Sequence, residues 1–400
     1  THFEGMYNFS EEIDFAEIVI GANYRRYDLV SDGTLFALQD NGEEFDINEW
    51  GAYAQLSKSF LDDKLELTGS LRYDKNEYFD GQFSPRISGV YSTPSNQNFR
   101  ASFQRGFRIP TTQDQFIDLD VVTRRLIGSN EALTDRYNFR SNQVYTTTSV
   151  TAAQQAYAEN GDLQAALALL DPWEFDEFTT EKVNTYEVGY KGLINNKLLI
   201  DAYYYYSSYR DFVAEIDFTQ TAVPNQLPPY DIEENPEGIV TGTAFTQRYG
   251  VDVNAAGQVD AHGFAVAADY SLEGGYTIGG NVAFNQLIDQ EDLLEQGFRA
   301  AYNTPEWRYN LRFANRKLTD NFGFNVVWRW QEAFLWESSF GVGVVPAFGT
   351  LDAQLSYKIS DLKTIVKLGG SNILNERYTT SFVNPRMGAI YYISLTFDEF

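Results

Sequence analysis

From Trp307 onward the chain alternates. Trp307, Tyr309, Leu311 and Phe313 form one set, and Arg308, Asn310, Arg312 and Ala314 the other. After a polar break at 317–320 the alternation resumes. Phe322, Phe324, Val326, Trp328 and Trp330 stand against Gly323, Asn325, Val327, Arg329 and Gln331. Period two marks a strand with two unlike faces. In a soluble sheet the apolar face packs on a core. In a membrane barrel it meets lipid, and the polar face lines a wet interior. The local pattern fits both.

The same reading along the whole chain predicts about fifteen strands, near 1–9, 13–27, 48–60, 64–78, 83–93, 98–109, 181–194, 197–216, 260–272, 275–288, 304–317, 321–336, 349–359, 362–374 and 386–397. Most run roughly 10 to 16 residues, against about 5 or 6 in soluble sheets and about 9 to 11 in tilted membrane strands. The connections decide the matter. Short ones at 10–12, 61–63, 93–97, 195–196, 273–274, 318–320 and 360–361 alternate with long ones at 28–47, 110–180, 217–259, 289–303, 337–348 and 375–385. Only the brief link at 79–82 breaks the rule. An up-and-down barrel with short periplasmic turns and long external loops has this rhythm. The expected fold is therefore all-β: one large antiparallel transmembrane barrel region spanning residues 1–400. The last strand would end on the periplasmic side and the first would begin on the external side. An odd count in a class that normally has even ones implies a missing N-terminal part.

Composition agrees. Aromatic residues make up 16%, with 27 Tyr and 30 Phe, and Tyr and Trp favour membrane interfaces. No cysteine is present, so neither disulfides nor thiolate metal sites contribute. A net charge of −26 makes nucleic acid an unsuitable partner. No apolar run is long enough for a transmembrane helix.

Several motifs converge: FSPRISGVYS (83–92), FRASFQRGFRIPTTQDQF (99–116), NTYEVGYKG (184–192), LGGSNILNERY (368–378) and the closing GAIYYISLTF (388–397). Their order and spacing resemble the C-terminal barrel part of a TonB-dependent outer-membrane receptor, of a Bacteroidetes-like type. That resemblance implies a 22-stranded barrel in the Gram-negative outer membrane, with about fifteen strands here and a plug domain outside this sequence. It implies active import of a scarce ligand, such as a siderophore, glycan, peptide or cobalamin. The TonB–ExbB–ExbD system would act through the plug, and a surface lipoprotein is a further possible partner. No cofactor is implied. A passive porin and a barrel that docks a surface lipoprotein or other protein are the alternatives. Either Phe397 or Phe400 would serve as the terminal assembly-signal residue.

Alternation assigns Arg72, Arg100, Arg108, Glu187, Lys191, Asp201, Asp211, Glu306, Arg308, Arg312, Arg329, Lys358 and Lys367 to the lumen. Arg72, Arg100, Glu187, Asp201, Arg308, Arg312 and Arg329 are the candidates for holding a plug or lining a substrate path. Arg308 and Arg329 should approach each other across their hairpin. Trp307, Tyr309, Phe313, Phe322, Phe324, Trp328 and Trp330 should face lipid, as should Tyr204 and Tyr206, with Tyr203 and Tyr205 pointing inward.

Catalysis lacks support. His2 and His262 are the only histidines, and no nucleophile-elbow sequence flanks His262. Asp114, Asp118 and Asp120 could hold a hard cation, but they lack the Gly and closing Glu of a calcium loop, which favours a solvated loop face. In the 110–180 connection, Ala152, Ala156, Leu163, Ala166, Leu167 and Leu170 recur at helical spacing around a Gly161-Asp162 break. This predicts two helices, either a lid over the mouth or packing for the loop. Pro224, Pro228, Pro229, Tyr230, Glu233 and Glu234 make 217–259 read as irregular and exposed.

Overall fold

The computed structural model describes residues 1–221, 236–288, 298, 301–338, 341–382 and 384–397. The chain opens with β1 (His2–Asn8), β2 (Glu17–Asp28), β3 (Asp46–Phe60), β4 (Leu65–Asn76), β5 (Gln82–Ser92) and β6 (Gln97–Arg108). The long connection then folds α1 (Thr112–Phe116), β7 (Asp118–Val121), β8 (Arg124–Ile127), α2 (Glu131–Arg136), β9 (Val144–Thr146), α3 (Thr147–Asn160), α4 (Leu163–Leu167) and β10 (Pro172–Trp173). Next come β11 (Glu181–Ile194), β12 (Leu198–Arg210), β13 (Val213–Thr221), α5 (Pro236–Thr241) and β14 (Thr246–Asn254). The remainder is β15 (Gln258–Ser271), β16 (Tyr276–Ile288), β17 (Trp307–Asn315), β18 (Phe322–Gln331), β19 (Phe334–Ser338), β20 (Gly341–Val345), β21 (Phe348–Ile359), β22 (Thr364–Ser371) and β23 (Ile390–Phe397).

Fifteen of these strands form one sheet in the order β1-β2-β3-β4-β5-β6-β11-β12-β15-β16-β17-β18-β21-β22-β23. They coincide one for one with the fifteen predicted. Each pairs antiparallel with its neighbour in that order, as Tyr309↔Trp330 and Leu311↔Trp328 illustrate. The turns at one end are tight. Asn195 and Asn196 take φ of 51° and 55°, and Lys197 N–H bonds the Ile194 carbonyl at 3.0 Å. Two successive left-handed residues give the turn whose twist matches the flanking strands, and Asn tolerates that conformation.

This wall has no apolar core of its own. Its aromatic face lies open, with Leu311 58%, Ile393 67% and Ile87 59% exposed. The principal core sits instead in a cap built from the long connections. There β10-β9-β13-β14-β8-β7 make a six-stranded sheet, antiparallel except for the parallel β14–β8 pair. Its core includes Phe116, Ile127, Phe139, Val144, Phe218 and Tyr249. Val259, Ala261 and Leu287 belong to the same cluster. By register they stand on the polar face of the wall, at the end carrying the long connections. The cap is thus seated against the inner side of the mouth.

Two expectations change here. The 217–259 connection is not irregular in its described part. Thr221 and Thr246 close a ladder running back to Val213 and Asn254, and Ile216, Phe218, Tyr249 and Val251 are buried. The outer partners of these two strands, β9 and β8, lie more than 70 residues away in sequence, so the segment reads as loop in isolation. Pro224 through Glu234 lie outside the described residues, as do most of 289–303 and Phe400. The predicted strands 197–216 and 321–336 are each two pieces: β12 stops at Arg210, and β13 starts at Val213 in the cap sheet. β18 stops at Gln331, and β19 pairs with β20 in a separate hairpin.

Helices appear where predicted. α3 ends at Gly161, in the left-handed conformation with φ 69°, a position that glycine fills without steric cost. Asp162 then caps α4 through the Ala165 N–H. The buried face of α3 is Val150 and Ala153 with Tyr157 beside them, whereas Ala152 is exposed. The apolar stripe is therefore shifted from the predicted one, toward α4 and α5.

Candidate functional site

The wall is built from two faces, and register determines which residues share one. Trp307, Tyr309 and Phe313 align with Phe324, Trp328 and Trp330, with Phe322 two residues before Phe324. Tyr309 stacks on Trp330 at 4.6 Å. Phe313 stacks on Tyr276 at 5.7 Å. Tyr204 and Tyr206 continue this face, opposite Phe264 and His262.

All seven polar candidates share the other face, where most are ion-paired. Arg72 binds Asp74 and donates to Asn23 Oδ1 at 2.6 Å. Arg100 bridges Glu187 at 3.2 Å and Asp201 at 3.1 Å. Lys191 joins Asp201 at 3.4 Å. Arg312 binds Asp269 at 2.6 Å, and Arg329 binds Asp352 at 2.8 Å. Arg308 and Arg329 are not directly opposed. Arg308 faces Gln331, and Arg329 faces Asn310. Arg308, Lys358 and Lys367 stay on the polar register. Asp211 and Glu306 depart from it. Both lie just outside their strands. Asp211 binds Lys182 at 2.7 Å and Glu306 accepts from Gln286 at 3.3 Å, and both partners stand on the aromatic register.

Glycines make these bridges possible, which alternation alone did not reveal. Arg312 on β17 reaches Asp269 on β15 by crossing β16 over Gly279. A Cβ there would lie 1.8 Å from the Asp269 carboxylate. Gly189 likewise underlies the Arg100 guanidinium, with 2.6 Å to a would-be Cβ, and Gly51 underlies Arg72–Asp74, with 2.2 Å. A strand-interior glycine marks close approach by another group. At Gly189 and Gly279 the readable signal was a glycine on the polar register between opposite charges two strands apart; at Gly51 the charges share β4 and reach over it to Asn23.

The cap repeats the device. Arg124 on β8 crosses β14 at Gly250 to bind Glu215 at 2.8 Å, and also Asp217, on β13. Glu181 at the wall's rim accepts from Arg108 at 2.9 Å and from the Val213 N–H at 3.0 Å. One carboxylate so ties wall to cap. Beside it, Asp252 stands opposite Glu215. Burial first, then the like charges of Asp114 and Glu215, push the Asp252 carboxyl up to about 7, against Arg108 and Arg124.

Asp114, Asp118 and Asp120 do not converge. Asp114 caps α1 together with Thr111, and Asp118 binds Arg125 at 2.7 Å and Tyr137 at 2.8 Å. Only Asp120 matches a solvated face. Among the described residues no cluster has the make-up of a metal site. His262 lies 3.4 Å from Tyr204 and 3.3 Å from Gln286, and His2 lies 3.7 Å from Glu4.

Two hollows open at the cap. One, of about 760 Å³, lies between the 172–178 segment, α2 and the end of the β4–β5 link. The second, of about 410 Å³, contains Arg108, Glu181, Glu215 and Asp252. Lower on the polar face, a hollow of about 750 Å³ is lined by Arg312, Arg316 and Lys367.

A long antiparallel wall with one open aromatic face, one ion-paired face and a folded cap at one rim defines an outer-membrane β-barrel. The chain belongs to the TonB dependent receptor-like β-barrel family, whose model matches residues 2–375. No curated protein sequence matches it. Among solved structures it resembles a mutant of the ferric enterobactin receptor PfeA from Pseudomonas aeruginosa, at 12% identity and TM-score 0.64, over 98% of this chain and 53% of that one. It also resembles the siderophore receptor PirA from Acinetobacter baumannii, at 13% and 0.62, over 98% and 54%. A third is the FrpB iron transporter from Neisseria meningitidis, at 14% and 0.60, over 98% and 53%. Identities this low carry the fold alone. The chain spans about half the length of these structures.

Proposed function

We propose that this chain forms much of the wall and the gate loops of an outer-membrane active transporter. The carrying observation is the division of the wall into an open aromatic face and an ion-paired one, with a cap seated against the ion-paired side. Trp307, Tyr309, Phe313, Phe322, Phe324, Trp328 and Trp330 face lipid, with tryptophans and tyrosines toward the headgroups. Arg72, Arg100, Glu187, Asp201, Arg308, Arg312 and Arg329 line the bore and hold a plug domain. Ligand enters beside the cap, and the TonB–ExbB–ExbD system, acting on that plug, opens the path. The family is one of receptors and transporters, which supports a chain that makes and breaks no bonds. A passive porin fits less well, because the long connections fold a cap with its own core of Phe116, Phe218 and Tyr249 instead of a single constriction loop.

A second reading has one observation in its favour. On the β19–β20 hairpin, Leu335, Val342 and Val344 are 52%, 47% and 60% exposed. Leu335 and Val344 pair directly. An apolar surface of this kind suits a protein partner, such as the surface lipoprotein suggested by the Bacteroidetes-like motif order. The test of transport is uptake by cells carrying the full-length protein, with and without a functional TonB. TonB-dependent uptake supports the proposal. Uptake that persists equally without TonB returns the porin reading.

A further inference from the structure

We infer that the 760 Å³ hollow at the cap is a recognition site for a cationic, hydrogen-bond-donating ligand with an apolar body, such as a basic peptide. The inference rests on the transport reading, since it names the class of cargo the mouth selects.

The hollow has the volume of small-ligand sites, which run from about 300 to 1,000 Å³. Its walls divide into two kinds. Trp173, Phe175 and Phe178 turn their rings toward the cap and rim. Trp173 lies 5.3 Å from Phe218, Phe175 5.1 Å from Phe139, and Phe178 6.2 Å from Phe79. Between them on the same segment, Glu174, Asp176 and Glu177 are exposed and also line the hollow. The segment thus presents aromatic surface and carboxylates side by side, the combination that receives a cation through its charge and its apolar stem.

Its one basic lining residue is already committed. Arg140 binds Glu131 at 2.8 Å and Asp135 at 3.2 Å. Both contacts use Nη1, and the two carboxylates offset its charge. An anionic ligand would therefore meet five lining carboxylates, Glu131, Asp135, Glu174, Asp176 and Glu177, against a single guanidinium.

A separate observation points to a donor on the ligand. Gln115 lines the hollow and is only 2% exposed. Its Nε2 donates to the Pro110 carbonyl at 2.6 Å. That carbonyl can only accept, so the amide orientation is fixed. Oε1 is left buried with no hydrogen-bond partner. An unsatisfied buried acceptor is costly, and a ligand N–H would satisfy it.

The test uses the purified full-length protein and three peptide probes: tri-arginine, tri-alanine and tri-glutamate. Trp173 fluorescence and calorimetry read binding at low and high salt. Tri-arginine should bind most tightly, and E174Q/E177Q should weaken it at least about tenfold while leaving the wall folded. Gln115→Leu, which removes the orphan acceptor, should weaken tri-arginine. If that variant misfolds, the double variant alone decides. Tri-glutamate binding as tightly as tri-arginine, or tri-arginine binding unchanged in the double variant, overturns the inference. Uptake is scored separately. Selective tri-arginine binding without TonB-dependent entry keeps the site and removes the transport reading. TonB-dependent entry of another cargo with no charge preference does the reverse.

Discussion

The wall and the cap are built from the same elements by opposite logic. In the wall, each strand pairs antiparallel with the next wall strand along the chain, and the apolar side chains collect on one exposed face. In the cap, strands meet across long separations: Tyr249↔Arg125 and Phe218↔Thr146 join parts of different connections. Its apolar side chains point inward, and Phe218 and Tyr249 are 0% exposed. The wall is stabilised by its surroundings, the cap by its own core. Both nevertheless use one electrostatic device, an arginine reaching over a strand glycine to an acid beyond it.

That contrast can be broken at several points, the strongest first. Phe218→Ala should cost the cap about 3–5 kcal/mol, the usual range for a large core aromatic. Limited proteolysis should then cut the cap while heat-modifiable gel mobility of the wall persists. Loss of both together would mean that cap and wall fold as one. Trp328→Arg does the reverse. It should impair membrane insertion by about 2–4 kcal/mol if that position is near mid-membrane, and normal assembly would place Trp328 away from lipid. Gly279→Ala comes next, at about 1–3 kcal/mol for a side chain forced into an occupied space. Combined with Asp269→Ala, which vacates that space, the alanine should cost less. An undiminished cost would show that strand geometry, not the Arg312–Asp269 bridge, requires the glycine.

The smallest effect is a pH dependence confined to the cap. The Asp252 carboxyl is raised to about 7, so the folded state binds its proton more tightly than the unfolded chain does. Its contribution to stability is complete below the ordinary carboxylate range and falls as pH rises through about 7. Cap stability, followed by protease resistance, should decline over that window, and Asp252→Asn should flatten the decline. An unchanged profile in the variant would assign the dependence to another group.

The same contrast explains what sequence could reveal. The wall was legible strand by strand, because alternation needs only local residues. Its ends drifted by a few positions, as at 386–397, where pairing begins only at Ile390. In the cap only the α3–α4 pair around Gly161 was legible. Phe116, Val144, Phe218 and Tyr249 share one core, yet each sits in a short apolar run with no local partner. The 217–259 segment read as loop because its prolines outweighed a strand pattern that only distant pairing makes useful. The charged bridges were half legible. Alternation put Arg72, Arg100 and Arg312 on one face, but their partners depended on register and on Gly51, Gly189 and Gly279.

Which face meets lipid can be measured directly, because the chain has no cysteine and single ones can be introduced at will. Nitroxide labels at Asn310→Cys, Leu311→Cys, Arg312→Cys and Phe313→Cys in reconstituted full-length protein would be tested for collision with oxygen and with a water-soluble nickel chelate. The labels at 311 and 313 should meet oxygen, and those at 310 and 312 the chelate. Chelate access at 311 and 313, with oxygen favoured at 310 and 312, would turn the wall inside out and contradict the account.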